Sequence, residues 1–199
     1  MVTFLEEDEV DPIELFGKWM ADASASEPND PNAAALATAT PDGHPSVRMV
    51  LIKTFDRNGF SFYTNANSRK GQELQRNPLA ALCFHWKTLR RQVRVEGSVS
   101  ELPGDVATHY FHSRSRGSQI AAAVSKQSQS LVSRAELVHQ VAELSRRYEG
   151  QEIPRPEGWV GFLLKPTCLE FWMDGPDRLH DRMLFTASTG GWTHHRLYP

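Results

Sequence analysis

From Asp11 to Ala25, apolar Ile13, Leu15, Phe16, Trp19 and Met20 recur at roughly helical spacing, and Pro12 suits a first helical turn. A polar run over 26–32 ends that pattern. Short apolar runs separated by turn residues follow. Ala33–Thr40 and Ser46–Phe55 flank Pro41-Asp42-Gly43-His44-Pro45 and predict a hairpin, and Phe60–Thr64 follows the Asn58-Gly59 turn as a third strand. Asn65-Ala66-Asn67-Ser68 is polar capping material before a short helix, Arg69–Arg76, which must stop near Asn77-Pro78. Leu79–Trp86 and Arg91–Ser100 predict two more strands. The second alternates, with Val93, Val95 and Val99 on one face and Gln92, Arg94 and Glu96 on the other. Helices are expected over Pro103–Ser113, over Ser118–Ser125, and from the capping box Ser133-Arg134-Ala135-Glu136 to about Tyr148. Strands at Trp159–Leu164, Cys168–Met173, Arg182–Ala187 and Trp192–Leu197 complete the pattern.

About nine strands with a few inserted helices predict one mainly-β (α+β) domain over 1–199, an antiparallel barrel with flanking helices. A doubly wound fold would alternate strand and helix and open on a Gly-rich turn, and neither feature is present. Any nucleotide-type cofactor must therefore have its phosphate held by side chains and a helix start. Residues 1–10 are acidic, through Glu6, Glu7, Asp8 and Glu9, and are expected to be flexible.

Net charge is −2, which gives no polybasic surface for nucleic acid or an anionic membrane. Arginine supplies 16 of the 22 basic residues, and it is the side chain suited to gripping phosphate or carboxylate. Cys83 and Cys168 lie far apart in apolar runs and read as free buried thiols, and no His/Cys group has zinc-ligand spacing. With neither a signal-peptide pattern nor an apolar run of the ~20 residues a membrane span needs, a cytoplasmic location is expected.

Four polar clusters interrupt the elements. Arg48 and Lys53 bracket the apolar Met49-Val50-Leu51-Ile52, although cations at strand ends are commonly just solvated. Tyr63-Thr64 and Ser68-Arg69-Lys70 meet at a helix start, where backbone N–H groups, a hydroxyl and two cations suit an anion. An ordinary capped helix is the other reading, but cations there are unfavourable without a compensating anion. Tyr110 to Ser118 leads to Ser125-Lys126-Gln127-Ser128, which reads as a second anion site or as a polar surface turn. Arg178, His180 and Arg182, at i, i+2 and i+4, share one face if that segment is extended. Two anion sites suit two phosphorylated molecules in one pocket.

At these residues the sequence resembles the pyridoxine/pyridoxamine 5'-phosphate oxidase family. The likeness runs from Asp11-Pro12 to Tyr198-Pro199 and includes R-x-V-L-x-K (48–53), F-Y-T-N (62–65), S-R-K (68–70), R-Q-V (91–93), Y-F-H-S-R (110–114), S-K-Q-S (125–128), E-F-W (170–172) and R-L-H-D-R (178–182). The resemblance implies a split β-barrel and a homodimer that holds FMN between subunits and oxidises pyridoxamine or pyridoxine 5'-phosphate to pyridoxal 5'-phosphate, passing electrons to dioxygen to give hydrogen peroxide. It assigns Arg48, Met49, Val50, Leu51, Ile52, Lys53, Tyr63, Thr64, Arg69, Lys70, Gln92, Gln127, Ser128, Trp172 and Arg182 to the flavin. Tyr110, Arg114 and Ser118 fall to the substrate phosphate, Lys53 also touches substrate, and Arg178 and His180 cover the reacting ring as the catalytic pair.

Two departures stand out. The family's Arg-rich lid segment has no basic counterpart before Asp11, and Gly117 stands where an acidic residue is expected. Two alternatives share parts of the pattern: another split-barrel flavin oxidoreductase resembling the phenazine-biosynthesis oxidases, and a non-catalytic flavin or pyridoxal-phosphate carrier. Retention of Tyr110, Arg114, Ser118, Arg178 and His180 favours the B6 substrate.

Overall fold

The computed structural model describes residues 10–199. The expected flexible acidic segment therefore lies outside the described residues, apart from Val10, which packs on the core.

Helix α1 (Pro12–Ser26) begins as its sequence requires. Asp11 caps it through Oδ1, which accepts the Ile13 N–H at 2.8 Å and the Glu14 N–H at 3.4 Å. Its apolar stripe seats Phe16 in the barrel, edge-on to Phe55, Phe60 and Phe84 at 4.8–4.9 Å between ring centroids. Burying such a ring stabilises the fold by about 1.5–3 kcal/mol.

The remaining elements are β1 (Ala33–Ala39), β2 (Pro45–Leu51), β3 (Thr54–Asp56), β4 (Gly59–Asn65), α2 (Arg69–Arg76), β5 (Leu79–Trp86) and β6 (Arg91–Glu101). After them come α3 (Gly104–Ser113), α4 (Arg116–Val124), α5 (Arg134–Arg147), β7 (Trp159–Met173), β8 (Asp181–Ser188) and β9 (Gly191–Arg196). The strands form one antiparallel sheet in the order β2-β1-β5-β6-β7-β4-β3, with β8 added to β7 and β9 to β8. Among the described residues no helix is long and apolar enough to cross a membrane.

The strands are divided differently from the pattern-based expectation in two places, and α4 starts at Arg116 rather than at the expected Ser118. The strand expected over Ser46–Phe55 is broken at Ile52-Lys53. Asn32 takes both backbone groups of Ile52, donating from Nδ2 to its carbonyl at 2.8 Å and accepting its N–H at 3.0 Å. Lys53 then turns to a different neighbour, its N–H donating to the Ser61 carbonyl at 2.8 Å. Conversely, the two strands expected between Trp159 and Met173 are one. Pro166 lacks a ladder N–H, but it sits opposite Gly97, where a bulge shifts the β6–β7 register and absorbs the gap. The first part of β7 pairs with β4 and the last with β8.

Val93, Val95 and Val99 face the core as the alternation predicts. Cys83 and Cys168 are free, but half-buried rather than buried. Alternation turns them to the outer face, opposite Arg94 and Glu96. Along that face one register row runs Met49, Ala35, Cys83, Arg94, Glu170 and Leu184.

Candidate active site

Strand β2, the end of β4, the start of α2, the α3–α4 junction and the chain after α4 enclose a cleft of about 770 Å³. That volume suits a small-molecule site. It brings together Arg48, Met49, Val50, Leu51, Lys53, Tyr63, Thr64, Arg69, Lys70, Tyr110, Arg114, Ser118, Gln127 and Ser128 from the predicted set.

One wall is cationic. Ser68 caps α2, its Oγ accepting the Gly71 N–H at 3.3 Å and donating to the Asn65 carbonyl at 2.6 Å. The turn is tight: a Cβ on Gly71 would lie 2.3 Å from the Ala66 carbonyl oxygen, so only glycine fits there. Lys70 lies almost fully buried behind this helix start. Its Nζ donates to Gln127 Oε1 at 2.9 Å and Thr64 Oγ1 at 3.1 Å. Burial, and then the charge of Arg48, lowers its pKa to about 8. Arg48 reaches Ser46, Thr38 and the Leu36 carbonyl, and burial lowers its pKa against the opposing pull of Glu73.

The other wall is aromatic. Tyr63 stacks on Tyr110 at 4.1 Å and on Trp159 at 5.3 Å. The Arg114 guanidinium sits 5.1 Å from the centroid of Trp159, within cation–π range. Its Nη1 is buried and has no hydrogen-bond partner among the described residues. A buried, unmatched guanidinium nitrogen is costly unless an anion completes it. Ser115 caps α4 beside it and donates to Ser118 Oγ at 2.9 Å. Two separated groups of donors thus face one cleft, which fits a phosphorylated cofactor beside a second anionic molecule.

Six predicted residues do not line this cleft. Ile52 is buried in the core. Gln92, Trp172 and Arg182 are cross-strand neighbours on the outer face, and Arg182 pairs with Glu170 at 2.8 Å. Arg178, His180 and Arg182 do not form the expected extended row, because residues 176–178 make a 3-10 turn with positive φ at Asp177 (53°) and Arg178 (63°). Arg178 is exposed, and the His180 ring lies 4.7 Å from Trp172. His180 Nδ1 is 3.2 Å from both the Gly175 N–H nitrogen and Asp174 Oδ1.

Glu73, Ser46 and Trp159 belong to the site but were not singled out from the sequence. Glu73 lies four residues after Arg69 on a polar helix, a spacing that reads equally well as a solvated pair.

Fold and cleft together define a split β-barrel of the class that includes FMN-binding proteins. In a solved structure of that class, a pyridoxamine 5'-phosphate oxidase-related, FMN-binding protein from Nostoc punctiforme, the fold matches with a TM-score of 0.78 at 16% identity, over 96% of this chain and 100% of that one. The structure of PhzG from Burkholderia lata 383 in complex with tetrahydrophenazine-1-carboxylic acid matches with a TM-score of 0.93 at 34% identity, over 100% and 98%. The family pattern described as pyridoxamine 5'-phosphate oxidase matches residues 20–148, and the pyridoxine 5'-phosphate oxidase C-terminal dimerisation region matches 159–199. The pyridoxine/pyridoxamine 5'-phosphate oxidases of Chelativorans sp. (strain BNC1) and Brucella ovis are each 56% identical, over 95% of this chain and 91% and 92% of theirs. The chain belongs to the pyridoxine/pyridoxamine 5'-phosphate oxidase family.

Proposed function

We propose that this protein is a homodimeric, FMN-dependent oxidase that converts pyridoxamine or pyridoxine 5'-phosphate to pyridoxal 5'-phosphate, with dioxygen as acceptor and hydrogen peroxide as product. The observation that carries the substrate reading is the buried, unpartnered Nη1 of Arg114 in a cleft that already has a separate cationic wall. Family membership and the 56% identical relatives supply the reaction class.

In this reading Arg48, Arg69, Lys70 and the N-terminus of α2 hold the FMN phosphate, and Thr64, Gln127 and Ser128 line its approach. Bound FMN would supply the hydride acceptor and the reaction with dioxygen. Tyr110, Arg114 and Ser118 hold the substrate phosphate, and the aromatic wall excludes water from beside it. Lys53, exposed at the break between β2 and β3, reaches toward the substrate. Arg178 and His180 of the partner subunit cover the pyridine ring, and Gln92, Trp172 and Arg182 of the partner subunit complete the flavin site. Their absence from the cleft of one chain supports this division. The outer sheet face, with exposed Val47 and Met49 beside a run of alanines, is the surface offered for pairing.

A second reading, oxidation of a reduced phenazine carboxylate, draws on the likeness to Burkholderia lata PhzG. The lower identity and the retained Tyr110–Arg114–Ser118 grip favour the B6 phosphate. Titration with FMN, followed by flavin fluorescence and combined with light scattering, tests the shared part of both readings. The expected result is tight FMN binding by a dimer, and a monomer that holds FMN equally well would contradict it.

A further inference from the structure

Glu73 is an acid in a site built for anions. Its side chain is only 5% exposed, and it faces Arg48 on one side and Arg69 on the other. A buried carboxylate there opposes anion binding unless it does something for the cations around it. We propose that Glu73 is a positioning residue: by holding Arg48 and Arg69 in one arrangement it makes the cofactor site selective for a phosphate monoester dianion. The proposal rests on the reading that these arginines and Lys70 receive the FMN phosphate.

The geometry divides the work between the two carboxylate oxygens. Oε1 accepts Arg69 Nε at 2.9 Å, which fixes the plane of a guanidinium whose side chain is otherwise 61% exposed. Oε2 accepts Ser46 Oγ at 2.6 Å and Thr38 Oγ1 at 2.5 Å, with Arg48 Nη2 at 3.4 Å. Thr38 and Ser46 in turn accept from Arg48, so one carboxylate orders a network spanning β1, β2 and α2. Burial alone would raise the Glu73 pKa. The hydrogen bonds from Ser46, Thr38 and Arg69, with the charge of Arg48, outweigh burial and hold it at about 2. Without that charge, three cations share one wall with nothing to space them, and exposed Arg69 is free to swing into solvent. With it, the wall carries a net charge of about +2, matched to a phosphate monoester of about −2.

The test compares FMN with riboflavin, which has the same ring system and no phosphate, on the full chain freed of flavin. Dissociation constants are measured for wild type, Glu73→Gln and Glu73→Asp. Wild type should prefer FMN over riboflavin by about a hundredfold or more, as expected for several charge-assisted contacts. Glu73→Gln, nearly isosteric, should cut that ratio about tenfold by weakening FMN alone. Glu73→Asp, which keeps the charge, should restore part of it. Equal weakening of both ligands would show a merely structural role, and an unchanged or higher ratio in Glu73→Gln would show that the acid does not position the arginines. Either result overturns the proposal. If wild type does not distinguish FMN from riboflavin, the phosphate reading itself fails and this proposal with it, a result distinct from a discriminating wild type that Glu73→Gln leaves intact.

Discussion

Lys70 Nζ and Gln127 Oε1 lie 2.9 Å apart, joining the first turn of α2 to the segment between α4 and α5 across 57 residues of chain. Thr64 Oγ1 donates to the same oxygen at 2.9 Å. One amide oxygen therefore anchors both the helix start and the end of β4. The ammonium it holds is buried beside Arg48, which is why its pKa falls to about 8 from an ordinary value of 10.5.

That lowered pKa sets a pH dependence. Above pH 8 the free protein loses the Lys70 proton, while a phosphate dianion in the site favours keeping it. FMN affinity should therefore be level from pH 7 to about 8 and then fall, by about tenfold near pH 9. Lys70→Arg should flatten the decline, because a guanidinium stays charged. Titrations across pH 7–9.5 check this, and a profile that is the same for both proteins would count against it. The sign for stability is opposite. Between pH 8 and 10.5 the unfolded chain binds more protons at this residue, so its contribution favours folding as pH rises.

The two anion-binding groups should fail separately. Arg114→Ala should keep its flavin and raise KM for pyridoxamine 5'-phosphate by about ten- to a hundredfold, corresponding to roughly 1.5–3 kcal/mol for a lost charge-assisted hydrogen bond. Arg69→Ala should lose FMN and regain activity partly when excess FMN is added. Flavin content measured beside steady-state kinetics separates the cases. Loss of flavin from Arg114→Ala with retention in Arg69→Ala would reverse the assignment.

Gly161 underlies the aromatic wall. It is the cross-strand partner of Tyr63, and a Cβ placed on it would lie 2.8 Å from the Tyr63 ring and 2.9 Å from Leu102. Gly161→Val should displace Tyr63 from Tyr110, cost about 1–3 kcal/mol of stability and lower kcat/KM. Thermal unfolding and kinetics measure both effects, and a variant with unchanged Tm and kcat/KM would remove the wall from the account.

Much of this was legible in the sequence because local chemistry agreed with the fold. Pro12 in the first turn of α1, the Ser68 cap and the Val93-Val95-Val99 alternation each follow from short-range rules and appear in place. The polar clusters at 48–53, 63–70 and 110–128 converge on one cleft although the sheet separates them in sequence. What was not legible depends on partners distant in the chain. Asn32 breaks the strand at Ile52, and the Gly97 bulge lets β7 pass through Pro166. The same holds for Arg178 to Arg182, which read as one extended face. Positive φ at Asp177 and Arg178 turns that segment, a conformation that side-chain spacing does not signal. At α2, too, Arg69 at the positive helix end is compensated by Glu73 within the chain, so an external anion is not the sole reason for it.

Peroxide release tests the central claim most directly. The purified full chain, supplied with FMN and dioxygen, is given pyridoxamine 5'-phosphate, pyridoxine 5'-phosphate, unphosphorylated pyridoxamine or a reduced phenazine carboxylate, and hydrogen peroxide and pyridoxal 5'-phosphate are measured together. The account predicts that peroxide and pyridoxal 5'-phosphate form in equal amounts from at least one of the two phosphorylated vitamers, with a large loss of kcat/KM when the phosphate is absent. No turnover of either phosphorylated vitamer by the FMN-loaded dimer, or faster turnover of the phenazine, would contradict it.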